Sequence, residues 1–214
     1  MKKKKEEFST VDNLFLLAQK KLSISNASTS KMKEYLKKKG GSKKEIEEVI
    51  NKLRKYSFLD EDELIKDVIS YCDAKHYGYN KIISMLKQKE IEISKINKVK
   101  KNEVRELRES RQMLNRLKKR YKNKSTVNLK RSVYSALIRY GFDENIASMR
   151  VSEVFNSYQE ELNVLKLDYS KLLSSYSKKL KGRKLKEKIK DTLLNKGYKL
   201  NDIRKVDNYN YEMD

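Results

Sequence analysis

The residues whose types and spacing could do chemistry in this chain are cations. Between Lys98 and Lys124 twelve basic residues stand against three acids, Glu103, Glu106 and Glu109. A second run, Lys178 to Lys190, holds eight basic residues and one glutamate, Glu187. Such runs bind polyanions, because each neutralised phosphate releases condensed counterions. The residues read as contacting a partner or DNA are Lys101, Arg105, Arg108, Arg111, Arg116, Lys118, Lys119, Arg120, Lys122, Arg131, Arg139, Lys181, Arg183 and Lys184. Arg105, Arg108, Arg116 and Arg120 are expected to face away from an apolar stripe on the same helix. The competing reading is a merely solvated face.

Other chemistry is poorly supplied. His76 is the sole histidine and Cys72 the sole cysteine. Four positions apart, they fall short of the four ligands of a closed zinc site. Cys72 shares a helical face with Leu64, Ile65, Val68 and Ile69, which reads as core. Asp60 and Asp62 read as helix-cap and dipole chemistry, and no glycine-rich phosphate loop appears. No catalytic residue, cofactor or metal is expected, and the chain reads as a non-enzyme. The fourteen tyrosines include Tyr77, Tyr79, Tyr121 and Tyr134, whose rings could stack on bases, although core packing accounts for them as well.

The elements that must position these cations are helices. Proline is absent and glycine occurs six times, which leaves little of the turn chemistry that β-structure needs. Four segments align: 31–41, 81–91, 132–142 and 188–198. In each, an apolar residue (Met32, Ile82, Val133, Ile189) stands four positions before a leucine (Leu36, Leu86, Leu137, Leu193). The pair marks one face of a helix. Gly40, Gly141 and Gly197 follow their leucines by four, where a left-handed residue closes a helix; Glu90 takes that place in the second copy. Ile46, Ile96, Ile146 and Ile203 then open the buried face of a second helix. Third helices are read around Leu14–Leu22, Leu64–Cys72, Val104–Tyr121 and Tyr158–Leu180. Val104, Leu107, Leu114, Leu117 and Tyr121 are expected to form a buried stripe, and Asp143 to Lys181 an almost unbroken helix pattern, a long rod that is straight or kinked.

The fold class expected is all-α, an elongated, curved array of about four tandem three-helix repeats. The boundaries read are a basic N-terminal tail (1–13), repeats over 14–60, 61–101, 102–155 and 156–209, and a C-terminal tail (210–214). The formal net charge is +22. Abundant Lys, Asn, Ile and Tyr fit an AT-rich genome, a compositional source for part of that charge. The lone cysteine suits a reducing cytoplasm. No apolar run reaches the roughly 18 residues needed to span a bilayer, and Leu14–Ala18 is too short for a secretory leader. A soluble, cytoplasmic monomer is expected, with no membrane partner.

Tandem repeats carrying L-x3-G-hydrophobic-x4-I resemble the RecX family of recombinase regulators. Tyr56-Ser57-Phe58-Leu59-Asp60-Glu61-Asp62-Glu63 is similar to that family's G-Y-L-D-D-E-R-F turn. Gly78-Tyr79-Asn80-Lys81-Ile82 with Leu86, and Leu185 through Tyr198, match its repeat segments. The likeness covers roughly residues 14 to 205. It implies binding in the groove of a RecA recombinase filament on single- or double-stranded DNA. It further implies modulation, most often inhibition, of recombinase and ATPase activity in recombination, DNA repair and the SOS response. Two other classes remain open on the residues alone. One is a DNA-binding helical-repeat protein acting without a recombinase, and the other is a structural adaptor whose charge keeps it in solution.

Overall fold

The computed structural model describes residues 10–211, with side chains as far as residue 208. Among these residues no strand occurs. The helices are α1 (Thr10–Ile24), α2 (Thr29–Lys38), α3 (Lys43–Lys55), α4 (Glu61–Lys75), α5 (Tyr79–Gln88), α6 (Ile93–Ile96), α7 (Glu103–Arg120), α8 (Thr126–Arg139), α9 (Glu144–Ser152), α10 (Tyr158–Tyr176), α11 (Gly182–Asn195) and α12 (Leu200–Tyr211). The all-α expectation is borne out. Of the N-terminal tail read over 1–13, residues 1–9 lie outside the described residues and Thr10–Asn13 begin α1. Of the tail read over 210–214, residues 212–214 lie outside them.

Small polar residues start the helices. Ser28, Ser42, Ser125, Asp143 and Ser157 each accept a hydrogen bond from a backbone N–H inside the first turn of the helix they precede. At α3 and α10 the N3 glutamates, Glu45 and Glu160, return the bond to the cap's own N–H, completing capping boxes.

Left-handed residues end them. Gly40, Gly141 and Gly197 have φ of 90°, 91° and 86°, and Glu90 adopts the same turn at 58°. In all four copies the next N–H (Gly41, Ile91, Phe142, Tyr198) reaches back to the repeat leucine's carbonyl at 3.1–3.2 Å. This is a Schellman closure. Glu90 is therefore accommodated in the glycine conformation, not in a different turn. Gly41 supplies no side chain where the other copies have an apolar one, because a Cβ there would lie 3.0 Å from Ile46 and from Leu14. Helix α1 takes the missing side chain's place.

The chain divides after Glu103 into two compact units. In the first, Leu14, Ala18, Met32, Leu36, Ile46, Val49, Ile50, Leu53 and Leu59 form one core from α1, α2 and α3. Leu64, Val68, Cys72, Ile82, Leu86, Ile91 and Ile96 form another from α4, α5 and α6. Cys72 is fully buried, with its Sγ 3.6 Å from Met85 Sδ, as the core reading expected. His76 takes the left-handed position that closes α4.

In the second unit, Val164, Leu165, Tyr169, Ile189, Leu193, Tyr198, Ile203 and Val206 bind α10, α11 and α12 together. Met113, Leu114 and Leu117 of α7 are buried, as are Leu129, Val133 and Leu137 of α8 and Ile146 and Ala147 of α9.

The same ties recur inside both units. At the start of α2, the Thr29 N–H donates to Glu61 of α4 at 2.8 Å, and Lys31 reaches the Gln88 carbonyl at the end of α5. At the start of α8, the Thr126 N–H donates to Glu161 of α10 at 2.9 Å, and Ser125 donates to the Lys196 carbonyl at the end of α11. Each unit thus uses a carboxylate from its fourth helix to satisfy an orphan N–H of its second.

Two expectations are corrected. The Asp143–Lys181 stretch is not one rod: α9 stops at Ser152, and the Ser157 capping box starts α10 afresh. Buried Val154 and the hydrogen-bonded Asn156 fix the break. The stripe on α7 is also displaced. Val104 is 78% exposed and Leu107 is exposed, while Glu106, Glu109 and Ser110 are buried beside Met113, Leu114 and Leu117.

Candidate polyanion-binding surface

The displacement on α7 has a polar cause. Arg150 of α9 is buried; it donates to Ser110 Oγ at 2.9 Å and to the Leu107 carbonyl at 2.7 Å, and pairs with Glu153. Buried Glu106 pairs with Arg105 at 2.9 Å, and buried Glu109 with Arg108 at 2.8 Å. Desolvated charges are tolerated only when paired and hydrogen-bonded. A guanidinium entering from α9 thus selects the Glu106–Ser110 face as the inner one, and apolar periodicity alone does not reveal it.

This rotation sorts the cations. Arg105 does not face outward: its side chain is 14% exposed and committed to Glu106. Arg108 is exposed but also paired, with Glu109. Arg111, Arg116, Lys119 and Arg120 are exposed on α7, as is Lys122 beyond it. Arg111, Asn115 and Lys118 follow one another at i, i+4 and i+7, so they line one face.

Around the C-terminal end of α7 the cations meet aromatic rings. Arg120 donates to Tyr140 Oη at 3.2 Å. Arg139 lies 5.5 Å from the centroid of Tyr140, and Lys124 lies 4.8 Å from that of Tyr121. Lys118 lies 5.9 Å from the ring of Phe155, which is 71% exposed. The Tyr140 hydroxyl beside it holds the Arg120 guanidinium above its ordinary pKa.

Arg131 is exposed on α8. Lys181, Arg183 and Lys184 are exposed at the start of α11, with Arg183 paired to Glu187 at 2.9 Å. They follow the C-terminal end of α10, whose nineteen residues separate them from the Ser157 end by about 28 Å at 1.5 Å per residue. Lys101 is exposed in the segment before α7.

Of the tyrosines considered for stacking, Tyr79 is tied to the Val99 carbonyl at 2.8 Å, and Tyr77 meets Tyr71 edge-on with centroids 6.2 Å apart. Phe155 was not legible as a site residue, because it belongs to neither helical period. The signal available was an apolar residue stranded just before the Ser157-x-x-Glu160 capping box. Among the described residues no group of three or more His, Cys, Asp or Glu is placed to hold a metal. Nor is any helix among them long and apolar enough to cross a membrane.

No family model matches the chain. A curated relative, the regulatory protein RecX of Oceanobacillus iheyensis, is 27% identical over 198 residues, covering 90% of this chain and 73% of its own. A crystal structure of a regulatory protein RecX matches with a TM-score of 0.54 at 19% identity, over 66% of this chain and 73% of that one. That match bears on the fold alone. The RecX crystal structure from Lactobacillus salivarius covers 93% of this chain and 95% of its own at 17% identity, but with a TM-score of 0.29 it carries no argument. The resemblance drawn from the repeat motifs is borne out by the curated relative across nearly the whole chain.

Proposed function

We propose that this chain is a regulator of RecX type, one that binds a RecA recombinase filament on DNA and lowers its recombinase and ATPase activity in recombination, repair and the SOS response. The observation that carries the reading is the likeness to a RecX regulatory protein over 90% of the chain. The exposed cations of α7 and its C-terminal turn fit a filament that displays phosphate. In this reading the helices group as four three-helix repeats, α1–α3, α4–α6, α7–α9 and α10–α12. The action is binding, not catalysis, and it takes place in the cytoplasm.

The test is the single-stranded-DNA-dependent ATPase of the cognate recombinase, with this protein titrated in. Inhibition at well below one copy per recombinase protomer supports the reading. The combined reversal Arg116→Glu, Lys119→Glu and Arg120→Glu should then shift the half-inhibiting concentration upward at least tenfold. An ATPase unchanged at stoichiometric excess overturns the function, and full inhibition by the reversed variant overturns the surface.

A further inference from the structure

The segment between α9 and α10 holds a phenyl ring in solvent with unusual firmness. Val154 before it is buried. Asn156 after it is held by its N–H to Thr126 Oγ1 at 3.3 Å, and by its side-chain amide to the Lys124 carbonyl at 3.2 Å and to Glu161 at 2.9 Å. Phe155 is thus anchored on both sides and still 71% exposed.

The first unit offers an internal comparison. Phe58 also stands two residues before a helix-capping residue, Asp60, as Phe155 stands two before Ser157. Phe58 packs edge-on against Phe15 of α1, with centroids 6.3 Å apart, and is 47% exposed. In the second unit the residue meeting the ring from the preceding α7 is a cation, Lys118. Burial against a neighbouring ring has been exchanged for a face open to solvent with a positive charge beside it.

We infer that Phe155 is a base-stacking platform for single-stranded nucleic acid, with Arg111, Lys118, Lys119 and Lys122 tracking the phosphates. A nucleobase offers a π-face to a flat ring whatever its sequence, and stacking combined with a basic track is how single strands are held without base-edge readout. Lys118 is poised to act twice, against the ring and against a phosphate. Glu160, a carboxylate that feels this cation, is committed to its capping box with Ser157 and is held below the usual carboxyl range chiefly by those bonds. The platform deepens the filament reading and rests on it, since the strand engaged is the DNA within the filament.

The chain contains no tryptophan, so Phe155→Trp creates a single fluorescent reporter at the platform. Binding of the full chain to an oligothymidylate, followed by anisotropy, should weaken about tenfold in Phe155→Ala, the scale of one lost base–ring stack, and be retained in Phe155→Trp. The tryptophan should be quenched by the oligothymidylate but not by an abasic oligonucleotide of equal length. The salt dependence of Phe155→Ala should match that of the unaltered chain, because the phosphate contacts remain. Equal affinity of Phe155→Ala and the unaltered chain, or equal quenching by the abasic strand, overturns the platform. So does a Phe155→Ala defect confined to the recombinase ATPase with oligonucleotide binding intact, which assigns the ring to a protein contact. Quenching that persists while the unaltered chain leaves the recombinase ATPase unchanged sinks the filament reading and leaves the platform standing.

Discussion

Single residues here are explained by backbone geometry more than by chemistry. Glu90 occupies a left-handed turn that three sister positions give to glycine, and an L-residue there is strained by about 1–2 kcal/mol. Part of the gain from replacement is offset by the greater freedom of glycine in the unfolded chain. Glu90→Gly should therefore raise stability by about 0.5–1 kcal/mol in urea unfolding. Asp60 caps α4 by accepting from the N–H groups of Asp62 and Glu63 at 2.8 and 3.1 Å. Those two backbone bonds hold its carboxyl below the ordinary aspartate range. A carboxyl depressed in the folded state contributes its full stabilisation above the unfolded pKa and loses it as pH falls through the folded one. The melting temperature should therefore drop on acidification below about pH 4. Asp60→Asn, which caps without titrating, should drop less steeply over that interval; parallel curves would show that the cap does not contribute.

Elements are positioned by a few polar ties laid over apolar cores. Arg150 is the strongest example, since it fixes α9 on α7 through Ser110 and the Leu107 carbonyl and decides which face of α7 is buried. Arg150→Ala leaves those acceptors without their donor and should cost about 3 kcal/mol. Circular dichroism should show a lower melting temperature with native helix content at 10 °C, and a loss under roughly 0.5 kcal/mol would remove Arg150 as the determinant of the α7 face. The four Schellman turns and the carboxylate ties at Thr29 and Thr126 do comparable work. They place the ends of helices, and with them the loops where Phe155 and Tyr140 meet cations.

At the scale of the whole molecule, a net charge of +22 draws any polyanion, so strength of binding alone says little about specificity. Salt dependence is more informative. For single strands the slope of log affinity against log salt is about −0.7 per phosphate neutralised. Reversing Arg116, Lys119 and Arg120 together should flatten that slope by about 2 if each meets a phosphate. An unchanged slope would mean that the charge of this face is only solvating.

Most helix positions, the leucine-centred helix closures, the cap at Asp60 and the burial of Cys72 were legible in the sequence, because each depends on neighbours within a turn or two. Local spacing also marked the basic run from Lys98 to Lys124. It did not reveal the rotation of α7, the commitment of Arg105 to a buried glutamate, or the placing of the Lys181–Lys184 cluster a helix length beyond the Ser157 cap. Those depend on residues forty or more positions apart, such as Arg150 and Ser110, and on the length of an intervening helix. Hydrophobic period assigns a helix its face only while buried groups are apolar. Once a buried arginine satisfies an inward serine and carbonyl, the tertiary partner decides the face, and with it which cations stay exposed.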